Sequence, residues 1–243
     1  MMKKIITIMF VLALCISIFT GFGKSADNAG NSNQVSSEGT KTAEKTSGDS
    51  DNDYFTWDGD TITGLTDSGL QQTELVIPSS AKKIGDSAFM YDSALTSITF
   101  ENGLEEIGES AFYGDNFTEV SFPSSLKKID FNAFNRCGEL KSITFSVGIE
   151  EIDENAFGLC DSLVKIELPE GLTNIGNGAF SPCPYVQDLY LPASLENISS
   201  STFGFNDGAN VYVKKGSWAD SHFAEFVDTN PANDALIYVK NYY

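Results

Sequence analysis

Two stretches, LTSITFENGLEEIGESAF (Leu95–Phe112) and LVKIELPEGLTNIGNGAF (Leu163–Phe180), share one apolar skeleton. Each opens on leucine, sets two apolar residues around one outward residue, then places an apolar residue, an isoleucine and a closing Ala-Phe. The closing phenylalanine recurs as Phe89, Phe112, Phe134, Phe157, Phe180 and Phe203, at intervals of 23, 22, 23, 23 and 23. A fixed period of this size marks a stack of one repeated unit, whose core forms only when neighbouring units cover one another.

The neighbours of each phenylalanine keep the same register. Ala88, Ala111, Ala133, Ala156 and Ala179 precede five of them, and Thr202 precedes the sixth. Five residues before each stands an isoleucine (Ile84, Ile107, Ile129, Ile152, Ile175 or Ile198), and three before that Ala81, Leu104, Leu126, Ile149, Leu172 or Leu195. Upstream lie the pairs Leu75/Ile77, Ile98/Phe100, Val120/Phe122, Ile143/Phe145, Ile166/Leu168 and Leu189/Leu191. Their alternation predicts a short strand with one buried face. Pro78, Pro123, Pro169 and Pro192 end such strands, because proline cannot donate to a ladder. A second short extended segment follows, then a turn at Gly85, Gly108, Gly176, Asp130 or Asp153.

This pattern, L-x-x-I-x-F/L-P-x-x-L-x-x-I-x-x-x-A-F, resembles the BspA-like branch of leucine-rich repeats from about Tyr54 onward. YFTWDGDTITGL resembles the N-terminal cap of such arrays and VYVKKGSWADSHFAEF the C-terminal cap. The resemblance implies an α/β, β-rich fold: a curved, parallel-stranded solenoid of about six rungs of 22–23 residues. It also implies a secreted or surface-exposed protein, in some relatives one that binds extracellular-matrix proteins, with no catalytic residues. The expected organisation is a signal peptide at 1–23, a disordered linker at 24–52, an N-terminal cap at 53–72, repeats at 73–208 and a C-terminal cap at 209–243.

Composition narrows the partners. The 243-residue chain is 41% hydrophobic, enough for a core, with a formal charge of −19. Residues 1–24 hold Lys3, Lys4, Lys24 and no acid, so without them 12 basic face 34 acidic side chains, or −22. Such a surface repels phosphate backbones, which disfavours nucleic acid. Lys3-Lys4 followed by apolar Ile5–Phe19 reads as an export signal, with Gly21 and Gly23 suiting cleavage and no membrane span left afterwards. A lipid anchor is disfavoured: Phe22 stands where a lipoprotein cysteine belongs, and Cys15 follows bulky Leu14. Residues 24–52 lack the apolar content to order themselves and give a spacer with an end-to-end distance of about 30 Å.

No catalytic, metal or cofactor constellation is expected. His222 is the single histidine and sits in the C-terminal cap. Gly23-Lys24-Ser25 lacks the upstream glycine of a phosphate loop, and Asp49, Asp51 and Asp53 lack the rest of a calcium loop. The acidic pairs fall on regular solvent-facing positions, where a solvated face is the simpler account than a glycosidase pair. Cys137, Cys160 and Cys183 each follow a ladder phenylalanine by three residues and are expected as small buried side chains stacked on consecutive rungs.

Two rows remain. Lys82-Lys83, Glu105-Glu106, Lys127-Lys128 and Glu150-Glu151 alternate in sign rung by rung, so each doublet is expected to face opposite charge above and below and to fix register. The outward strand row carries Thr99, Ser121, Thr144, Glu167, Tyr190 and Tyr212, flanked by Lys165 and Asp188. Its aromatic C-terminal half is the expected binding surface for a protein or glycan, on a monomer that needs no cofactor. At the ends, Trp57 and Ile62–Leu65 are expected to cover the first rung. Ser217 is expected to cap a helix running to Phe226, and Leu236–Val239 to add a final strand.

Overall fold

The computed structural model describes residues 51–199, 201–205, 208–226 and 239–243. The expected signal peptide, the linker to residue 50, the Gly23-Lys24-Ser25 segment and Asp49 lie outside them. Residues 51 and 52, assigned to the linker, instead begin a short 3-10 helix, Asp51–Tyr54.

Among the described residues, sixteen short strands follow in chain order. They are β1 (Phe55–Asp58), β2 (Thr61–Leu65), β3 (Glu74–Ile77), β4 (Lys83–Ile84), β5 (Ser97–Phe100), β6 (Glu106–Ile107), β7 (Glu119–Ser121) and β8 (Lys128–Ile129). Then come β9 (Ser142–Thr144), β10 (Glu151–Ile152), β11 (Lys165–Glu167), β12 (Asn174–Ile175), β13 (Asp188–Tyr190), β14 (Asn197–Ile198), β15 (Asn210–Val213) and β16 (Val239–Tyr242). The β-rich solenoid of about six turns expected from the period is what forms.

Each turn contributes to three ladders. The two-residue strands β4, β6, β8, β10, β12 and β14 pair in parallel and in register, and the antiparallel hairpin β1–β2 joins their N-terminal edge, giving one continuous eight-stranded sheet. The longer strands form the second face, which is interrupted into β3–β5, β7–β9 and β11–β13–β15–β16. The arm carrying Ala-Phe is the third. There Phe89, Phe112, Phe134 and Phe157 donate their N–H to Ala111, Ala133, Ala156 and Ala179 of the next rung, at 2.7–2.9 Å. The arm can do this because residues two before the phenylalanine are left-handed: Ser87, Ser110, Asn132 and Asn155 have φ of 54–57°. Asparagine tolerates that region better than most side chains, and Gly178 fills the same place freely.

The phenylalanines stack through the core. Centroid distances run 5.0 Å from Phe89 to Phe112, 5.0 Å to Phe134, 5.2 Å to Phe157, 5.3 Å to Phe180 and 6.1 Å to Phe203. These track the rung spacing that parallel ladders impose. Phe100, Phe122 and Phe145 form a second column whose rings meet Phe112, Phe134 and Phe157 edge-on. The column has ends the sequence reading did not name. Phe55 packs edge-on against Phe89, and Phe226, which lies 23 residues after Phe203, packs edge-on against it.

The C-terminal region departs from expectation at its helix. Ser217 does cap a helix, its hydroxyl accepting from the Asp220 N–H at 3.2 Å. That helix, α1 (Trp218–Ser221), breaks at His222, whose ring nitrogen bonds the Trp218 carbonyl at 2.9 Å, before α2 (Phe223–Phe226). A final strand is present at Val239–Tyr242 and includes Val239 of the expected segment; Leu236, Ile237 and Tyr238 lie outside the described residues. Lys240 occupies the register of the core residue Val211 and reaches Asp220 at 2.6 Å, which closes the stack with a polar pair.

Candidate functional site

The strand face follows from side-chain alternation. Leu75, Ile77, Ile98, Val120, Phe122, Ile166, Leu168, Leu189 and Leu191 point in and are buried, which leaves the residues between them outward. One rung breaks the pattern: Ile143 and Phe145 are only half-buried. Here β9 and β11 belong to separate hydrogen-bonded sheets. No proline follows Phe145; Ser146 stands there instead, its hydroxyl turned to the Phe122 carbonyl at 2.5 Å.

The opening is a groove of about 450 Å³ lined by Ile143, Thr144, Phe145, Glu167, Leu168, Pro169, Glu170, Tyr190, Lys214 and Tyr243. Ile143, Phe145, Leu168 and Pro169 give it apolar wall, and Thr144, Glu167, Glu170 and Lys214 polar wall. On one side Glu167 and Tyr190 line the groove, and Lys165 next to them lies 2.7 Å from Glu167 and 4.8 Å from the centroid of the Tyr190 ring. On the other Lys214 lies 3.0 Å from Glu170 and 5.3 Å from the Tyr243 ring. The Glu167 hydrogen bond holds the Lys165 ammonium pKa above its usual value. Burial works against the Glu170 charge, but hydrogen bonds from Lys214 and from the Ala193 and Ser194 N–H groups outweigh it and lower its pKa.

Of the residues singled out in the sequence, Lys165, Glu167, Asp188, Tyr190 and Tyr212 sit together on the sheet from β11 to β15, with Glu167 opposite Tyr190 and Tyr190 opposite Tyr212. Thr144 faces them across the groove. Ser121 pairs with Thr144 on the neighbouring sheet, and Thr99 lies on the first, β3–β5. The tyrosines are not free platforms. Tyr190 and Tyr212 stack on each other at 4.2 Å and 4°, Tyr243 meets Tyr190 edge-on, and Lys165 covers Tyr190 as well. A ligand therefore meets ring edges, hydroxyls and whatever Lys165 uncovers. Ile143 and Phe145 were read as core residues, and Glu170, Lys214 and Tyr243 were not singled out; the absence of proline at residue 146 is no sufficient signal, since Phe100 is followed by Glu101 and is buried.

The charge row forms ion pairs in one direction. Lys82–Glu105 (3.2 Å), Lys83–Glu106 (2.6 Å), Lys127–Glu150 (3.1 Å) and Lys128–Glu151 (4.0 Å) are close. Among the described residues no ion pair joins Glu105 or Glu106 to Lys127 or Lys128, although Glu106 and Lys128 are register partners. Lys128 turns instead to Asp130 and Asp153, so each doublet finds its partner on one side rather than on both.

Cys137, Cys160 and Cys183 are buried free thiols that donate to the carbonyls of Phe112, Phe134 and Phe157 at 3.2–3.3 Å. Burial pushes all three thiol pKa values up, Cys183 to about 12, which makes them inert. No group of three or more His, Cys, Asp or Glu side chains among the described residues is placed to hold a metal ion. No helix among them is long and apolar enough to cross a membrane.

Comparison with curated proteins finds no match. The chain is similar in structure to a leucine-rich repeat protein of T. pallidum, at 24% identity and a TM-score of 0.57, over 66% of this chain and 83% of that one. It is also similar to a leucine-rich cell surface protein of Faecalibacterium prausnitzii A2-165, at 28% identity and a TM-score of 0.53, over 71% of this chain but only 50% of that one. Both are repeat proteins rather than members of an enzyme family. The family model for the BspA-type leucine-rich repeat region matches in six copies over residues 68–160 and 106–216, and with the stacked geometry above it shows that this chain belongs to the BspA-type leucine-rich repeat family.

Proposed function

We propose that this protein is a non-enzymatic binding module, secreted or held at the cell surface, that engages a protein or glycan through the face formed by the longer strands. The observation that carries the reading is the groove between β9 and β11. There the strand face is interrupted and opens onto apolar side chains beside the aromatic row. Exposed apolar surface rimmed by polar groups is how binding sites differ from ordinary surface. The cell-surface relative, the export-type N-terminus and the spacer composition of residues 24–52 support an extracytoplasmic location.

The test is a pull-down of extracellular-matrix proteins and glycans by the mature protein, against variants Tyr190→Ala and Tyr212→Ala. A binding module loses its partner on substitution. A chain that retains nothing in either form acts as an envelope spacer, and the reading fails.

A further inference from the structure

The two sides of the groove repeat one arrangement. In each, a lysine ammonium sits on a glutamate and over a tyrosine ring: Lys165 with Glu167 and Tyr190, Lys214 with Glu170 and Tyr243. Carboxylate and aromatic face together stabilise a cation, and more so where apolar wall keeps water away. The two clamps are not equally held. Glu170 is pinned by the N–H groups of Ala193 and Ser194, and Lys214 and Glu170 keep 43% and 49% of their side-chain exposure. Lys165 and Glu167 keep 53% and 67%, and no other hydrogen-bond partner is seen for Glu167 among the described residues. An exposed pair of this kind is worth little, so a competing cation can displace Lys165 at small cost.

We propose that the groove receives an arginine or lysine side chain from a protein partner, its stem over Phe145 and Leu168 and its cationic head between Glu167 and Tyr190, and that Lys165 occupies this seat in the free protein. The proposal rests on the binding reading above and selects protein over glycan as the ligand. Charge supports it. The chain carries −19; Lys165 and Lys214 balance the groove's own glutamates, and Glu74, Glu119 and Asp188 leave the strand face with a negative excess that draws in a basic segment. An arginine fits the seat best, because its planar guanidinium pairs with a carboxylate and stacks on a ring at once.

The probe is a short peptide with one arginine flanked by leucines, compared with its citrulline counterpart, titrated into the full mature chain and read by amide chemical shifts. The expected result is arginine-dependent shifts centred on Phe145, Glu167 and Tyr190. Glu167→Gln should weaken binding about tenfold, and Lys165→Met should tighten it several-fold. Lys141→Met removes the same charge from the neighbouring rung and should tighten it much less, which separates loss of the placeholder from a general charge effect. Equal binding of the citrulline peptide, equal effects of Lys165→Met and Lys141→Met, or shifts spread over Glu74 and Glu119 would overturn the proposal. A neutral glycan that binds the groove and depends on Tyr190 would overturn it too, while leaving the binding reading intact.

Discussion

Asp115 is the most consequential charge in the core, and replacing it with asparagine tests how the stack tolerates it. It falls in the column that Cys137, Cys160 and Cys183 occupy, three residues after a ladder phenylalanine, and it is fully buried. One carboxyl oxygen accepts the Asp92 N–H at 2.9 Å; the other has no hydrogen-bond partner, and neither has one oxygen of Asp92. Burial, reinforced by the Asp92 charge and opposed by that single N–H, pushes the Asp115 pKa up to about 8. At neutral pH the group is then a neutral acid, its proton left to the oxygen that accepts no hydrogen bond. The titratable groups on either side are Asp92 and Cys137, whose thiol is itself pushed up by burial, so nothing adjacent supplies positive charge.

The sign follows from proton counting. The folded chain keeps a proton that the unfolded chain has released above roughly pH 4, so stability is fully present below that pH and falls as pH rises through about 8. Between pH 4 and pH 7 this single group removes on the order of 4 kcal/mol of stability. Asparagine keeps the acceptor for Asp92 and puts an N–H donor where the proton was. Urea unfolding of wild type and Asp115→Asn, followed from pH 5 to pH 9, should show wild type losing stability with pH and the variant staying nearly level, the two diverging most above pH 8. Parallel curves would refute the argument, since they would mean that Asp115 is ionised in the fold or is not buried as described.

Other perturbations probe the rest of the stack. Lys127→Glu combined with Lys128→Glu removes the pairs to Glu150 and Glu151 and adds repulsion from four neighbouring glutamates. The melting temperature should fall more at low salt than at high salt, by amounts consistent with exposed pairs worth about 0–1 kcal/mol each, and an equal fall at both would exclude a role in register. Phe134→Ala leaves a cavity among Phe112, Phe117, Phe122 and Phe157 and should cost about 3–5 kcal/mol in chemical denaturation. Phe203→Ala, at a half-buried end of the ladder, should cost clearly less, and equal costs would show that the stack does not act as a chain of nearest neighbours.

How much could be read beforehand depends on how local the cause is. The ladder from Phe89 to Phe203 was visible because every rung repeats the same burial demand over 22 or 23 residues, and the same arithmetic reaches Phe226. Asp92 and Asp115 stand in register with the cysteines, but a column of mixed chemistry does not announce itself as one column until the rungs are stacked. The helix break at His222 depends on its contact with Trp218, which lies outside the apolar pattern of the segment.

Sequence alone determined that this chain is a β-rich repeat stack of the BspA type and which residues of each rung point inward, because alternation and period are properties of single rungs. Tertiary structure decided what the rungs do to one another. It left Ile143 and Phe145 uncovered between two sheets, turned Lys165 onto the ring of Tyr190, sent each lysine doublet to one neighbour only, and buried Asp115 without a second partner. Each of these depends on whether adjacent strands close their hydrogen-bonded ladder and where a side chain finds its nearest counter-charge. Those are distances between residues some 23 apart in sequence, and no single repeat contains them.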